Sequence, residues 1–114
     1  MIKCINGWTK AKILAVIEAR PFEEQAYDED MERCLYLTNK GNKCAVGLFI
    51  PDGHMAQHSG MGADALIDSY PDLRQLMPLH SFDMGELQFI HDKIGNRYRA
   101  KTAMIEWVKE NVED

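Results

Sequence analysis

The chain has little of several features that mark specialised classes of protein. It contains three cysteines in 114 residues, an odd and small number that argues against the disulfide framework of a secreted miniprotein and favours reduced thiols. No apolar run approaches the roughly 20 residues that a membrane-spanning helix needs. The opening MIKCINGWTK has no apolar core of signal-peptide length. We therefore expect a soluble cytoplasmic protein with no membrane partner.

Basic charge is also scarce, because 13 Lys and Arg stand against 18 Asp and Glu and give a formal net charge of −5. General nucleic-acid binding needs clustered cations to neutralise phosphates, so this composition argues against it. What the chain does have is apolar content, at 46%. A chain of this length buries roughly two-thirds of the surface that its unfolded form exposes. We predict one compact domain over residues 1–114.

Helical patterns dominate the two ends of the chain. In TKAKILAVIEAR at 9–20, Ile13, Leu14 and Ile17 fall at helical spacing, and Thr9 can cap the first turn. ADALIDSYPDLRQLM at 63–77 predicts two short helices divided near Pro71. DMGELQFIHDKIGN at 83–96 opens with the spacing of a capping box and predicts a further helix. A final helix carries an apolar stripe of Ala100, Ala103, Met104, Trp107 and Val108.

The middle of the chain predicts a small β element. Residues 34–38 are β-prone, and Asn39, Gly41 and Asn42 supply turn chemistry. The run CAVGLFI at 44–50 suits either a returning buried strand or a short buried helix opening at Cys44. We predict an α+β fold, mostly helical, with a small hairpin or short strand within 34–49 packed on the C-terminal helices. A helical 44–50 would expose a strand edge and favour a homodimer.

His91 is the most informative single position. Leu87, Ile90 and Ile94 share its helical face, so the pattern predicts an imidazole that points inward. Such a histidine is either a core residue with hydrogen-bonded nitrogens or a general base. Asp92 is turned by about 100° around the helix axis, and we do not expect it to orient His91 directly.

Cys44 has two possible roles, a buried packing residue or a catalytic nucleophile. If a helix opens at this residue, the helix dipole lowers the pKa of the thiol and makes the thiolate a nucleophile. With His91 as base, the pair would then serve a hydrolase or a transferase. The apolar run around Cys44 favours packing instead, since free cysteine is among the most buried residue types. Packing is the interpretation that we prefer.

Metal binding is a further alternative for these side chains. Cys34, Cys44 and His91 are zinc-ligand types, as are His54 and His58 in a glycine-containing loop. Nine residues separate the two cysteines, more than the two to four of common zinc knuckles, although a hairpin would bring them together. A small zinc-binding domain therefore stays an alternative, and the leading interpretation includes no cofactor.

A basic stretch lies near the C terminus and has no acidic residue within it; it consists of Lys93, Arg97, Arg99 and Lys101. Most runs of this kind are solvated faces. The alternative is a surface that steers a charged macromolecular partner toward the protein. We keep these four residues as candidate partner-binding positions.

Three motifs follow one another in a distinctive order: CLY at 34–36, GNKCAVGLFIPD at 41–52 and LQFIHD at 87–92. Together they resemble a group of small proteins predicted from tailed-phage, prophage and bacterial genomes. The resemblance spans about half of the chain and rests on Cys34, Tyr36, Gly41, Cys44, Ala45, Gly47, Ile50, Asp52, His91 and Asp92. It implies a phage-type accessory protein and supplies no substrate, cofactor or catalytic residue.

Phage accessory proteins often inhibit or modulate host enzymes and defence systems, which is an argument by analogy. No strong catalytic signature is present in the sequence. Our leading hypothesis is therefore a non-enzymatic protein that binds a host protein or another macromolecule in the host cytoplasm. The Cys44–His91 enzyme and the zinc-binding domain are the alternatives.

Overall fold

Five α-helices form most of the structure, a computed structural model that describes residues 1–19, 45–58, 62–94 and 97–114 and the backbone of 27–28 and 33–34. The helices are α1 (Lys10–Ala19), α2 (Ala63–Ser69), α3 (Pro71–Leu76), α4 (Ser81–Lys93) and α5 (Arg97–Asn111). Two 3₁₀ helices, Val46–Phe49 and Met55–His58, precede α2. Strands β1 (Tyr27–Asp28) and β2 (Arg33–Cys34) form an antiparallel ladder of two residues each. None of the helices described is long and apolar enough to cross a membrane.

The predicted α+β fold is wrong, because helices dominate the part of the chain that the structure describes, and its β structure is limited to that two-residue ladder and an isolated parallel bridge between Ile2 and Val112. The predicted hairpin within 34–49 is also wrong. Cys34 pairs backward with Tyr27. Of the two alternatives given for 44–50, the structure has the short buried helix, a 3₁₀ helix over residues 46–49, and not the returning strand. Such a turn closes its own hydrogen bonds, as Leu48 N–H to Ala45 O at 3.3 Å shows, and needs no partner strand.

Most of the helices lie where the amphipathic patterns predicted them. Ile13 and Ile17 of α1 are fully buried, and the Thr9 hydroxyl accepts the Lys12 N–H at 3.2 Å. Pro71 occupies the start of α3 and separates it from α2. The predicted capping box is wrong, because α4 begins at Ser81, two residues before Asp83.

Helix α4 organises the core. It packs against α2, α5 and the first 3₁₀ helix, while α1 packs against α5. Its inward side carries Met84, Leu87 and His91, all with no exposed surface. Met104 and Val108 of α5 are buried in the same core. Helix α4 therefore presents one face to the core and the opposite face to solvent.

The N-terminal segment holds the end of α3. Asn6 has a left-handed backbone with φ of 57°, a conformation that asparagine adopts more readily than most residues. Its side-chain amide donates to Arg74 O at 2.6 Å and Met77 O at 2.8 Å, and Trp8 Nε1 donates to Leu76 O at 3.0 Å. These three bonds satisfy carbonyls that a helix end leaves without intrahelical partners.

Candidate functional site

His91 lies fully inside the protein, and its Nδ1 is 3.0 Å from Asp92 Oδ1. The prediction that Asp92 does not orient His91 is wrong. Although adjacent side chains leave a helix in directions about 100° apart, their Cα atoms are only about 3.8 Å apart. The side chains of His91 and Asp92 therefore come within hydrogen-bond distance when both turn toward the part of the helix surface that lies between them.

Gln88 occupies that part of the helix surface, because it precedes His91 by three residues and Asp92 by four. Its Nε2 donates to Asp92 Oδ1 at 2.8 Å, and its Oε1 accepts the N–H of Val46 at 2.9 Å. Gln88 is only 8% exposed. We name Gln88, His91 and Asp92 the α4 polar cluster; it connects α4 to the first 3₁₀ helix. Sequence reasoning missed Gln88, although its position three residues before His91 was a usable signal.

The α4 polar cluster determines the tautomer of the histidine. An ionised carboxylate only accepts hydrogen bonds, so the proton of a neutral His91 ring sits on Nδ1, toward Asp92. The lone pair is then on Nε2, as in the histidine of a general-base pair. The Asp92 side chain is 36% exposed, so it links the buried ring to the surface. The arrangement suits a positioned base and equally suits a satisfied core histidine.

Of the two predicted catalytic candidates, the structure places only His91. Cys44 lies outside the described residues, and the described chain resumes at Ala45, one residue before the Val46 amide that Gln88 holds. The choice between packing and catalysis for Cys44 therefore stays a prediction. Cys4 is the cysteine whose thiol the structure describes, and burial, followed by the charge of Glu113, raises its pKa.

The residues that the structure describes include no group of three side chains able to hold a metal ion. The side chains of Cys34, Cys44 and His58, which the zinc alternative uses, lie outside them. His54 is described, and it pairs with Asp72 through a contact of 2.6 Å between Nε2 and Oδ2. The zinc alternative gains no support from this geometry.

His54 connects the loop after the first 3₁₀ helix to α3. Its Nδ1 accepts the Ala56 N–H at 3.0 Å, so the proton that bonds to Asp72 sits on Nε2. The ring also packs edge-on against Tyr70, with centroids 5.4 Å apart. Because both ring nitrogens are engaged, His54 is a structural link and is not available as a base. The hydrogen bond from His54 is the main cause that lowers the pKa of Asp72.

The lowered pKa of Asp72 predicts a pH-dependent contribution to stability. A carboxyl whose folded pKa lies below its unfolded value stabilises the protein above the unfolded pKa, about 3.9, and loses this effect as the pH falls through the folded pKa. Asp72→Asn should therefore lower the melting temperature at pH 7, with a difference from wild type that shrinks below about pH 4. Melting curves between these pH values measure this, with Asp68→Asn on α2 as the control. A difference that is constant with pH contradicts the prediction.

The predicted basic stretch is divided between two helices. Lys93 ends α4, and its Nζ lies 5.4 Å above the centre of the Phe89 ring. Lys101 of α5 donates to Glu18 O at 2.8 Å, near the end of α1, where a cation is favourable. Arg99 is exposed, and the side chain of Arg97 lies outside the described residues. A partner-binding role for this stretch stays a prediction.

The outer face of α4 carries a feature that sequence reasoning missed. Phe82 is 71% exposed and Phe89 is 63% exposed, although both are large and apolar. They are seven residues apart, or about two helical turns, and so lie on one face. Around them lies a shallow groove of about 450 Å³, lined by Asp64, Phe82, Gly85, Glu86, Phe89, Ile90 and Trp107. We call it the α4 groove; the helical spacing of the two phenylalanines was the available signal.

No protein-family model, curated protein or solved structure matches this chain. The α4 polar cluster and the α4 groove are the features of the described residues that bear on function.

Proposed function

We propose that this protein is a non-enzymatic, phage-type accessory protein that binds a host macromolecule and modulates it. The α4 groove is the observation that carries the proposal. An apolar depression with exposed aromatic side chains and a polar rim is typical of interaction sites on proteins. The phage origin is supported only by the motif resemblance, and the binding function by the groove.

The energetics of the two exposed phenylalanines support a binding role. Each gives about 1.5–3 kcal/mol when a partner takes its side chain out of water. Aromatic residues are also enriched in the cores of protein interfaces. Helix α4 is held on its other sides by α2, α5 and the first 3₁₀ helix, so the groove needs no reordering of its backbone. Such preorganisation lowers the entropic cost of association.

Affinity purification from a bacterial host lysate tests the proposal. The wild-type protein should recover a partner in stoichiometric amount, and the Phe82→Ala/Phe89→Ala variant should recover roughly tenfold less or none. A matched control is Met55→Ala/Leu76→Ala, which removes two other exposed apolar side chains, 75% and 43% exposed, that do not line the groove. The control should recover the partner like wild type.

Two results would contradict the proposal, the first its binding function and the second its binding site. One is failure of the wild-type protein to recover any stoichiometric partner, combined with turnover of a substrate by the pure protein. The other is equal recovery of the same partner by the wild type and the groove variant, which would show that the α4 groove is not the binding site.

The hydrogen bond between His91 and Asp92 favours a second candidate function, a hydrolase or transferase that uses Cys44 and His91. In this candidate, His91 takes the thiol proton and the thiolate attacks the substrate. Iodoacetamide should then alkylate Cys44 rapidly in the native protein near neutral pH, and His91→Gln should slow the reaction. Slow alkylation in the native protein, together with a lower melting temperature for Cys44→Ser, supports the packing role instead.

A further inference from the structure

We infer that the α4 groove binds a cationic amphipathic helix of a partner protein, an inference that rests on the proposed binding function and names the chemistry of the partner. Three features of the groove carry it: the sign of its charged residues, its shape along α4, and the repulsion that a second copy of the chain would meet.

The charge of the groove favours a basic partner. Asp64 of α2 and Glu86 of α4 are both exposed, and they are the charged residues among those described as lining the groove. Both are acidic. The nearby cation is Lys93 at the end of α4, whose Nζ lies 5.4 Å above the centre of the Phe89 ring. A partner with Lys or Arg beside its apolar anchors would place opposite charges next to the two carboxylates.

The shape of the groove favours a helix. Phe82 and Phe89 are about 10 Å apart along α4, the distance that two helical turns cover. Gly85 lies between them, and a Cβ at this position would be 4.0 Å from the Asp64 Cβ. The missing side chain therefore keeps open the space between α2 and α4. An amphipathic helix presents apolar anchors at i, i+3 or i+4, and i+7, and these match the two-turn length of the groove.

A second copy of this chain fits the groove less well. In a two-fold pairing of two α4 helices, Phe82 of one copy would contact Phe89 of the other, and the midpoint at 85–86 would lie on the axis. Each Glu86 would then lie opposite Gly85 of the other copy and within one residue of the axis, which brings the two Glu86 carboxylates close together. Like charges across an interface disfavour association, so a basic partner is favoured over self-association.

Fluorescence anisotropy with synthetic peptides tests the inference. The probe is a labelled peptide of about 18 residues, long enough to form a helix, with leucine on one face and lysine on the other. The comparison peptide has glutamate in place of every lysine. The wild-type protein should bind the lysine peptide at least about tenfold more tightly than the glutamate peptide, and added salt should weaken the binding.

Three variants locate the binding. Phe82→Ala/Phe89→Ala should weaken it at least about tenfold. Asp64→Asn/Glu86→Gln should weaken it about three- to tenfold and flatten its salt dependence, whereas Glu18→Gln/Glu110→Gln, with the same change in net charge on α1 and α5, should not. Gly85→Leu fills the groove and removes a helical glycine, so it should abolish binding without lowering the melting temperature.

Several outcomes would overturn the inference. One is that the glutamate peptide binds as tightly as the lysine peptide, and another is that the groove variants bind like wild type. A third is a dimer in sedimentation experiments that the Phe82→Ala/Phe89→Ala variant dissociates, which would show a second copy in the groove. If lysate capture depends on the groove while the lysine peptide fails to bind, the partner class is wrong and the proposed function stands. If neither lysate capture nor peptide binding depends on the groove, the inference is wrong and the α4 groove is not the binding site of the proposed function.

Discussion

Replacing Leu87 with alanine should lower the free energy of unfolding by about 2–5 kcal/mol. Leu87 is fully buried on the inward face of α4, the helix that contacts α2, α5 and the first 3₁₀ helix. Removing its isobutyl group loses the free energy of apolar burial. It also leaves a cavity where α4 packs against its neighbours. A loss of this size is a large part of the stability of a typical domain.

Urea denaturation of Leu87→Ala and Phe89→Ala compares the free energy of unfolding that is lost at the buried face of α4 with that lost at its exposed face. Phe89 is 63% exposed, and we expect its replacement to change stability by no more than about 0.5 kcal/mol. Phe89→Ala therefore serves as the matched control for a core substitution. It also shows whether the groove variants bind weakly because they have lost a contact or because they have lost their fold. Equal destabilisation by the two substitutions would contradict the described orientation of α4.

The helices could be predicted because their apolar residues repeat with the period of the helix. Ile13 and Ile17 predicted the buried side of α1, and Leu87 and His91 predicted the inward side of α4; all four side chains are fully buried. Pro71 predicted the division between α2 and α3, because its missing N–H is tolerated in the first turn of a helix. These signals are local, so a single sequence contains them.

The first 3₁₀ helix could not be predicted from periodicity. Residues 45–50 are all buried, and a run that is buried on every side has no polar face to reveal its period. The predicted hairpin failed for a related reason. Turn residues at 39–42 indicate that the chain can reverse direction, but the partner of a strand is fixed by distant packing, and the partner of Cys34 is Tyr27.

The two candidate sites differ in how far the sequence predicted them. The inward direction of His91 followed from the pattern, whereas its bond to Asp92 depends on side-chain rotamers that the pattern does not specify. The α4 groove depends on where α2 and α5 lie beside α4. Helical spacing was enough to place Phe82 and Phe89 on one face, a signal that sequence reasoning did not use, but only the packing of neighbouring helices decides that this face stays uncovered.

Replacing Gln88 with leucine should cost about 1–3 kcal/mol of stability, because Val46 is fully buried and its N–H would lose the acceptor 2.9 Å away. Asp92 would lose a donor at the same time. Gln88→Glu is the informative companion variant. It keeps an acceptor for the Val46 N–H, but it removes the donor to Asp92 and places a second negative charge beside that carboxylate.

Amide hydrogen exchange separates these two effects. In Gln88→Leu the Val46 amide should exchange faster than in the wild type, relative to the core amides of α5. In Gln88→Glu the protection of the Val46 amide, relative to the core amides of α5, should stay high at acid pH, where protonation relieves the repulsion from Asp92, and fall as both carboxyls ionise. Gln88 is the member of the α4 polar cluster that bonds to the 46–49 turn. If the Val46 amide is as well protected in both variants as in the wild type, core packing, and not this hydrogen bond, holds the turn in place.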